Sequence, residues 1–153
     1  MAADAPEANI GLLRKRLAVG AAAEARLLPL WPAPAESDLH ALQPFDAVIL
    51  GMGEDGHIAS LIPGSPTLAA GLDPNGQAMT ILTPAGLGSP PVARISLTLT
   101  ALLRAQAIFL LIAGDVKRDV IDRALAGADL PVRALLIQDR APVRVLWAPS
   151  HEE

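Results

Sequence analysis

Two apolar runs, each stopped by glycine, frame the chain. Residues 45–50 read Phe-Asp-Ala-Val-Ile-Leu and residues 107–112 read Ala-Ile-Phe-Leu-Leu-Ile. Past Asp46 neither run alternates between apolar and polar residues. A strand with one wet face alternates; a strand covered on both faces of a parallel sheet does not. The first run leads straight into Gly51 and the second reaches Gly114 one residue on. Residues 115–126 then take up a helical period, with Val116, Val120, Ile121, Ala124 and Leu125 on one face. Asp115 suits the start of that helix and Gly127 its end.

The weaker signals fill in around this frame. Residues 6–17 read as a short helix with Ile10, Leu13 and Leu17 on one face, Asp4 as its cap and Pro6 in its first turn. Residues 27–31 suit a short strand and residues 37–42 a helical turn ending before Pro44. Residues 94–98 alternate as a strand does, a helical piece follows over 101–105, and residues 143–147 form a last strand. Six of the 14 prolines (Pro63, Pro66, Pro74, Pro84, Pro90 and Pro91) lie between 63 and 91, with five glycines. That stretch reads as loops around one strand over 79–83, a suitable wall for a site. The expectation is a single domain over 1–153. It is an α/β fold with a mostly parallel sheet and helices on both faces, a Rossmann-like three-layer arrangement.

Composition removes several functions. The chain has 153 residues and no cysteine, so disulfides, thiolate metal sites and a cysteine nucleophile are excluded. Its net charge of −4 argues against nucleic acid as a partner, and aromatic residues at 3%, with no Tyr, give no stacking platform for bases. No apolar stretch is long enough for a membrane span. Residues 1–7 are acidic and lack the basic start and apolar core of a signal peptide, so a cytoplasmic setting is the default.

Chemistry gathers where ligands sit in such sheets, at the carboxyl ends of strands. Gly51-Met52-Gly53-Glu54-Asp55-Gly56-His57 puts three glycines in six positions, a tight turn where backbone can approach a ligand closely. His57 differs from His40 and His151, which read as solvated surface histidines. It stands just past a strand end with Asp55 two residues away. Imidazole can take a proton from water, and a carboxylate nearby can fix its tautomer or hold a substrate hydroxyl. Asp55 and His57 are too few for a catalytic zinc, which usually takes three protein ligands, so no metal is expected. Ser60 lacks the Gly-x-Ser-x-Gly setting of a serine nucleophile, and the turn lacks a P-loop's Gly-Lys-Ser/Thr. Lys117 and Arg118 fall in the first turn of the helix opening at Asp115. They either reach solvent, offset by Asp115 and Asp119, or join the helix N-terminus in binding an anion such as phosphate. Arg94 is either a surface strand-end arginine or a bidentate partner for the same anion.

Taken together, these segments resemble the 6-phosphogluconolactonase family, within the larger group of sugar-phosphate isomerases and deaminases. The stretch that carries the resemblance runs from Gly51 through His57-Ile58-Ala59-Ser60-Leu61-Ile62-Pro63-Gly64-Ser65. Arg94-Ile95-Ser96-Leu97-Thr98, Ile112-Ala113-Gly114-Asp115-Val116-Lys117 and Asn9 support it. Deaminases of the group share Asp-Gly-His-Ile-Ala but continue Phe-Asn-Glu-Pro, and no such glutamate follows His57 here. The resemblance implies hydrolysis of 6-phosphogluconolactone to 6-phosphogluconate in the pentose phosphate pathway, without metal or cofactor. It implies His57 as general base, Asp55 orienting substrate or His57, and Lys117 and Arg94 holding the 6-phosphate. Backbone N–H groups of the turn at Gly51, Gly53 and Gly56 would face the developing oxyanion.

Family members begin with an additional α/β portion carrying a Ser-Gly-Gly phosphate loop and an Asp-Glu-Arg segment, and nothing before Asn9 matches either. The expectation is therefore the carboxyl-terminal portion of a lactonase-like domain, with a sheet edge and apolar helix faces left bare. Either a second chain completes the fold, or the protein self-associates, or activity is weak. A catalytically inactive sugar-phosphate-binding remnant and an amino-sugar-phosphate isomerase or deaminase are the alternatives.

Overall fold

The two apolar runs become neighbouring strands. The computed structural model describes residues 9–150. Its elements are α1 (Asn9–Arg16), a 3-10 turn (Gly20–Ala22), α2 (Glu36–Ala41), β1 (Val48–Gly51), α3 (Leu68–Leu72), β2 (Thr80–Thr83), β3 (Arg94–Leu97), α4 (Leu99–Leu102), β4 (Ile108–Ala113), α5 (Asp115–Leu125), α6 (Pro131–Leu136) and β5 (Val143–Ala148). β4 is central in a three-stranded parallel sheet of order β1-β4-β5. β2 and β3 form a separate antiparallel pair with Thr83 opposite Arg94.

The sheet register sorts the apolar runs into two faces. Leu50 lies beside Leu110, and Ile108 and Ile112 share their side of the sheet. These four side chains are buried, and Val120, Ile121 and Ala124 of α5, Leu99 and Leu102 of α4, and Val132 and Leu135 of α6 pack on them. Burying one such Leu or Ile contributes about 1.5–3 kcal/mol. Thr98 caps α4: its hydroxyl oxygen accepts from the Ala101 amide at 3.2 Å and its proton goes to the Ala78 carbonyl at 2.7 Å.

The opposite face is open. Ile49, Leu111 and Leu146 alternate with the buried residues and are 68%, 45% and 50% exposed. The parallel sheet and the α/β class are present, with helices on one face. Among the described residues no helix is packed over Ile49, Leu111 and Leu146.

Several local expectations change. Residues 27–31 form no strand: Pro29 and Pro32 remove amide donors, and Leu28 and Leu30 pack instead against Leu39, Met79 and Ala101. Leu13 and Leu17 are exposed, so the expected apolar face of α1 is not buried. Asp4, Pro6 and His151 lie outside the described residues. Val116 and Leu125 are exposed as well, which narrows the buried face of α5 to Val120, Ile121 and Ala124. Gly114, at φ 81°, takes the cap position of α5, and Asp115 pairs with Arg118 at 3.1 Å.

Candidate active site

The glycine turn is a closed hairpin at the carboxyl end of β1. Met52 bridges antiparallel to Ile58. Between them the Gly53 amide donates to the His57 carbonyl, and the Gly56 amide to the Gly53 carbonyl, both at 3.0 Å. Met52 and Ile58 are buried and anchor the two arms. Gly56 has φ 78°, the left-handed region where a side chain costs energy, and a Cβ there would stand 3.0 Å from the Leu130 Cβ. Its carbonyl accepts from the Val132 amide of α6 at 2.9 Å, so α6 braces the turn from behind.

Asp55 and His57 meet inside this hairpin. The His57 Nδ1 lies 2.6 Å from Asp55 Oδ1, and the His57 backbone amide donates to the same oxygen at 3.2 Å. An ionised carboxylate only accepts, so Nδ1 carries the proton and the Nε2 lone pair is left free. The imidazole is partly accessible, with 28% of its side chain exposed, so it faces the surface rather than the core. A Cβ on Gly53 would collide with the His57 ring and with Asp55 Oδ1. Glycine at 53 is thus required by the pair lying over it. At Gly51 nothing in the chain lies within reach of a Cβ.

The turn's amides are only partly available. Gly53, Gly56 and His57 spend theirs within the hairpin, whereas those of Glu54 and Asp55 have no partner among the described residues.

Arg94 is linked to the segment after the glycine turn only through its strand partner. Its cross-strand partner Thr83 donates its hydroxyl to the Ser60 carbonyl at 2.6 Å, and the Ser60 amide donates to Ser96 Oγ at 3.0 Å. Ser60 follows His57 by three residues, so β2 and β3 are bonded to the segment that leaves the glycine turn. Arg94 Nη2 donates to the Pro90 carbonyl, and its Nε is buried without a partner. Lys117 stands apart from the pair. It lies in the first turn of α5, past the end of the strand adjacent to β1, half-buried and with no ion-pair or hydrogen-bond partner among the described residues. Its neighbour Arg118 is occupied, paired with Asp115 and stacked 5.0 Å above the Trp147 ring. The structure therefore joins His57, Asp55, Gly53 and Gly56 directly and Arg94 through bonded intermediates. Lys117 shares only the sheet's carboxyl end with them.

Sequence reasoning did not foresee that Thr83 and Ser96 bond the Ser60 backbone or that α6 braces the turn through Val132. A lone hydroxyl in a strand gives no signal, and a helix as short as α6 offers only Pro131 at its start as a cue. No group of three or more His, Asp or Glu among the described residues is placed to hold a metal. No described helix is long and apolar enough to cross a membrane.

The chain is similar to known proteins over most of its length. A 6-phosphogluconolactonase of Caulobacter vibrioides is 44% identical over 149 residues, covering 92% of this chain and 64% of its own length. One of Pseudomonas putida is 39% identical, covering 94% and 62%. The chain thus spans less than two thirds of the length of these relatives. The crystal structure of a 6-phosphogluconolactonase from Shewanella baltica superposes with a TM-score of 0.84 at 33% identity, over 98% of this chain and 68% of that one. The model of the glucosamine-6-phosphate isomerase and 6-phosphogluconolactonase family matches residues 1–147, and the chain belongs to that family.

Proposed function

We propose that the chain hydrolyses 6-phosphogluconolactone to 6-phosphogluconate, with His57 as general base. The observation that carries this reading is the 2.6 Å contact between His57 Nδ1 and Asp55 Oδ1, which leaves Nε2 free at an accessible strand exit. Nε2 takes a proton from water as the water oxygen attacks the lactone carbonyl. The C–O bond to the ring oxygen then breaks, and the imidazolium returns the proton to that oxygen. The carboxylic acid formed loses its own proton to solvent. Asp55 holds the tautomer and offsets the imidazolium charge. The open amides of Glu54 and Asp55 are the donors left for the oxyanion. Arg94 and Lys117 hold the phosphate, Arg94 with an Nε that lacks a protein partner. A lactone is an activated ester, so the route needs no metal. The names of the relatives support the substrate, and a cytoplasmic setting goes with it.

A second reading rests on the open face of the sheet. With Ile49, Leu111 and Leu146 uncovered, this chain either meets a completing segment or a second copy there, or binds sugar phosphate without turning it over. One assay separates the readings: loss of fresh 6-phosphogluconolactone against its spontaneous opening, with sedimentation of the same sample. Turnover above the spontaneous rate, lowered about 10²–10⁴-fold in His57→Ala, supports the lactonase. Binding of 6-phosphogluconate with no turnover supports the inactive remnant. Equal rates in both chains overturn the catalytic reading.

A further inference from the structure

Among the described residues only two buried side-chain nitrogen or oxygen atoms lack a hydrogen-bond partner, Nε of Arg94 and Nε of Arg133. Both arginines stand at segments that brace the glycine turn. Arg94 is tied to it through Thr83 and Ser60. Arg133 belongs to α6, whose Val132 amide donates to the Gly56 carbonyl, and it follows Leu130, the residue packed on Gly56, by one helical turn. Helical side chains lean toward the N-terminal end of their helix. For Arg133 that is the end at the glycine turn. Arg133 is half-buried, and among the described residues no carboxylate or carbonyl meets its guanidinium. A buried N–H left unpaired is costly, and an anionic ligand that accepts from the Arg133 Nε removes that cost. The edge formed by Nε and one Nη is the edge that grips two oxygens of a phosphate or carboxylate together.

We propose that Arg133 is an anion-binding residue of this site, and that with Arg94 it grips the phosphate monoester of the substrate. The proposal rests on the lactonase reading for its ligand, so the test measures binding and turnover separately. Calorimetric titration of 6-phosphogluconate and of gluconate into the wild-type chain, Arg133→Gln and Arg133→Lys reads the phosphate contact alone. Arg133→Gln is expected to weaken 6-phosphogluconate about 10- to 100-fold and to leave gluconate unchanged. Arg133→Lys recovers part of the loss, because it keeps the charge without the fork. In the hydrolysis assay the loss falls on KM, with kcat little changed. Unaltered 6-phosphogluconate binding in folded Arg133→Gln overturns the proposal and leaves the lactonase reading standing. Binding that depends on Arg133, in a chain that opens the lactone no faster than water does, keeps this site and removes that reading. If Arg133→Gln does not fold, Arg133→Lys decides: a loss selective for the phosphorylated ligand supports the role, and an equal loss for both ligands or none overturns it. Failure of the wild-type chain to bind 6-phosphogluconate also overturns it.

Discussion

The two faces of the three-stranded sheet come from alternating apolar residues of the same strands, yet one is a packed core and the other is open. Leu50, Ile108, Leu110 and Ile112 meet three helices, while Ile49, Leu111 and Leu146, interleaved with them, meet solvent. The sequence prescribes apolar residues for both faces. Packing in this chain supplies cover for one. The glycine turn is anchored on the covered side: Met52 and Ile58 belong to the same core cluster as Leu50 and Leu110, and α6 reaches the turn through Val132. The Asp55–His57 pair is therefore ordered from the covered face of the sheet.

The largest expected effect sets the covered face against the open one. Leu110→Ala is expected to lose about 2–5 kcal/mol of unfolding free energy in a urea titration, because it leaves a cavity under α5. Leu111→Ala, its neighbour on the open face, is expected to change stability by no more than about 0.5 kcal/mol. A comparable loss at Leu111 would mean that something covers that face in solution, and sedimentation at rising protein concentration would then show a second copy or not. Next in size is Gly56→Ala, which puts a side chain at φ 78° against Leu130 and is expected to cost about 1–3 kcal/mol. Gly51→Ala, with open space around its Cβ, tests the same hairpin at a position that nothing crowds. It is expected to be close to neutral by the same titration, and a loss as large as that at Gly56 would show the turn to be tighter than its contacts indicate. Gly53→Ala is expected to act on activity as well as on the hairpin: the added methyl overlaps the His57 ring and Asp55 Oδ1, displaces the ring from Asp55 and lowers kcat by at least about tenfold.

Much of this was legible in the residues. The unbroken apolar runs gave β1, β4 and the parallel sheet, and the spacing of Val120, Ile121 and Ala124 gave the buried face of α5. The hairpin was legible because three glycines around an Asp-x-His leave few other conformations. What was not legible depends on contacts distant in sequence. Val116 and Leu125 match the helical period but are exposed, since periodicity marks a stripe and not its width. Residues 27–31 look strand-like by side chain, and Pro29, with Pro32 just after them, decides otherwise. The hydroxyl of Thr83 on the Ser60 carbonyl and the unpaired Nε of Arg133 arise only when β2, β3 and α6 close around the turn. The open face was not visible from the strands themselves, because an apolar run looks the same whether its second cover is in the chain or elsewhere.

The claim that Asp55 acts through His57 is tested most directly by a double-mutant cycle on lactone hydrolysis, with spontaneous opening subtracted. If the pair works as one unit, His57→Ala and the double variant Asp55→Ala/His57→Ala have the same residual rate, and Asp55→Ala alone falls between them and the wild type. Independent, multiplying losses, or a His57→Ala chain as fast as the wild type, would contradict it.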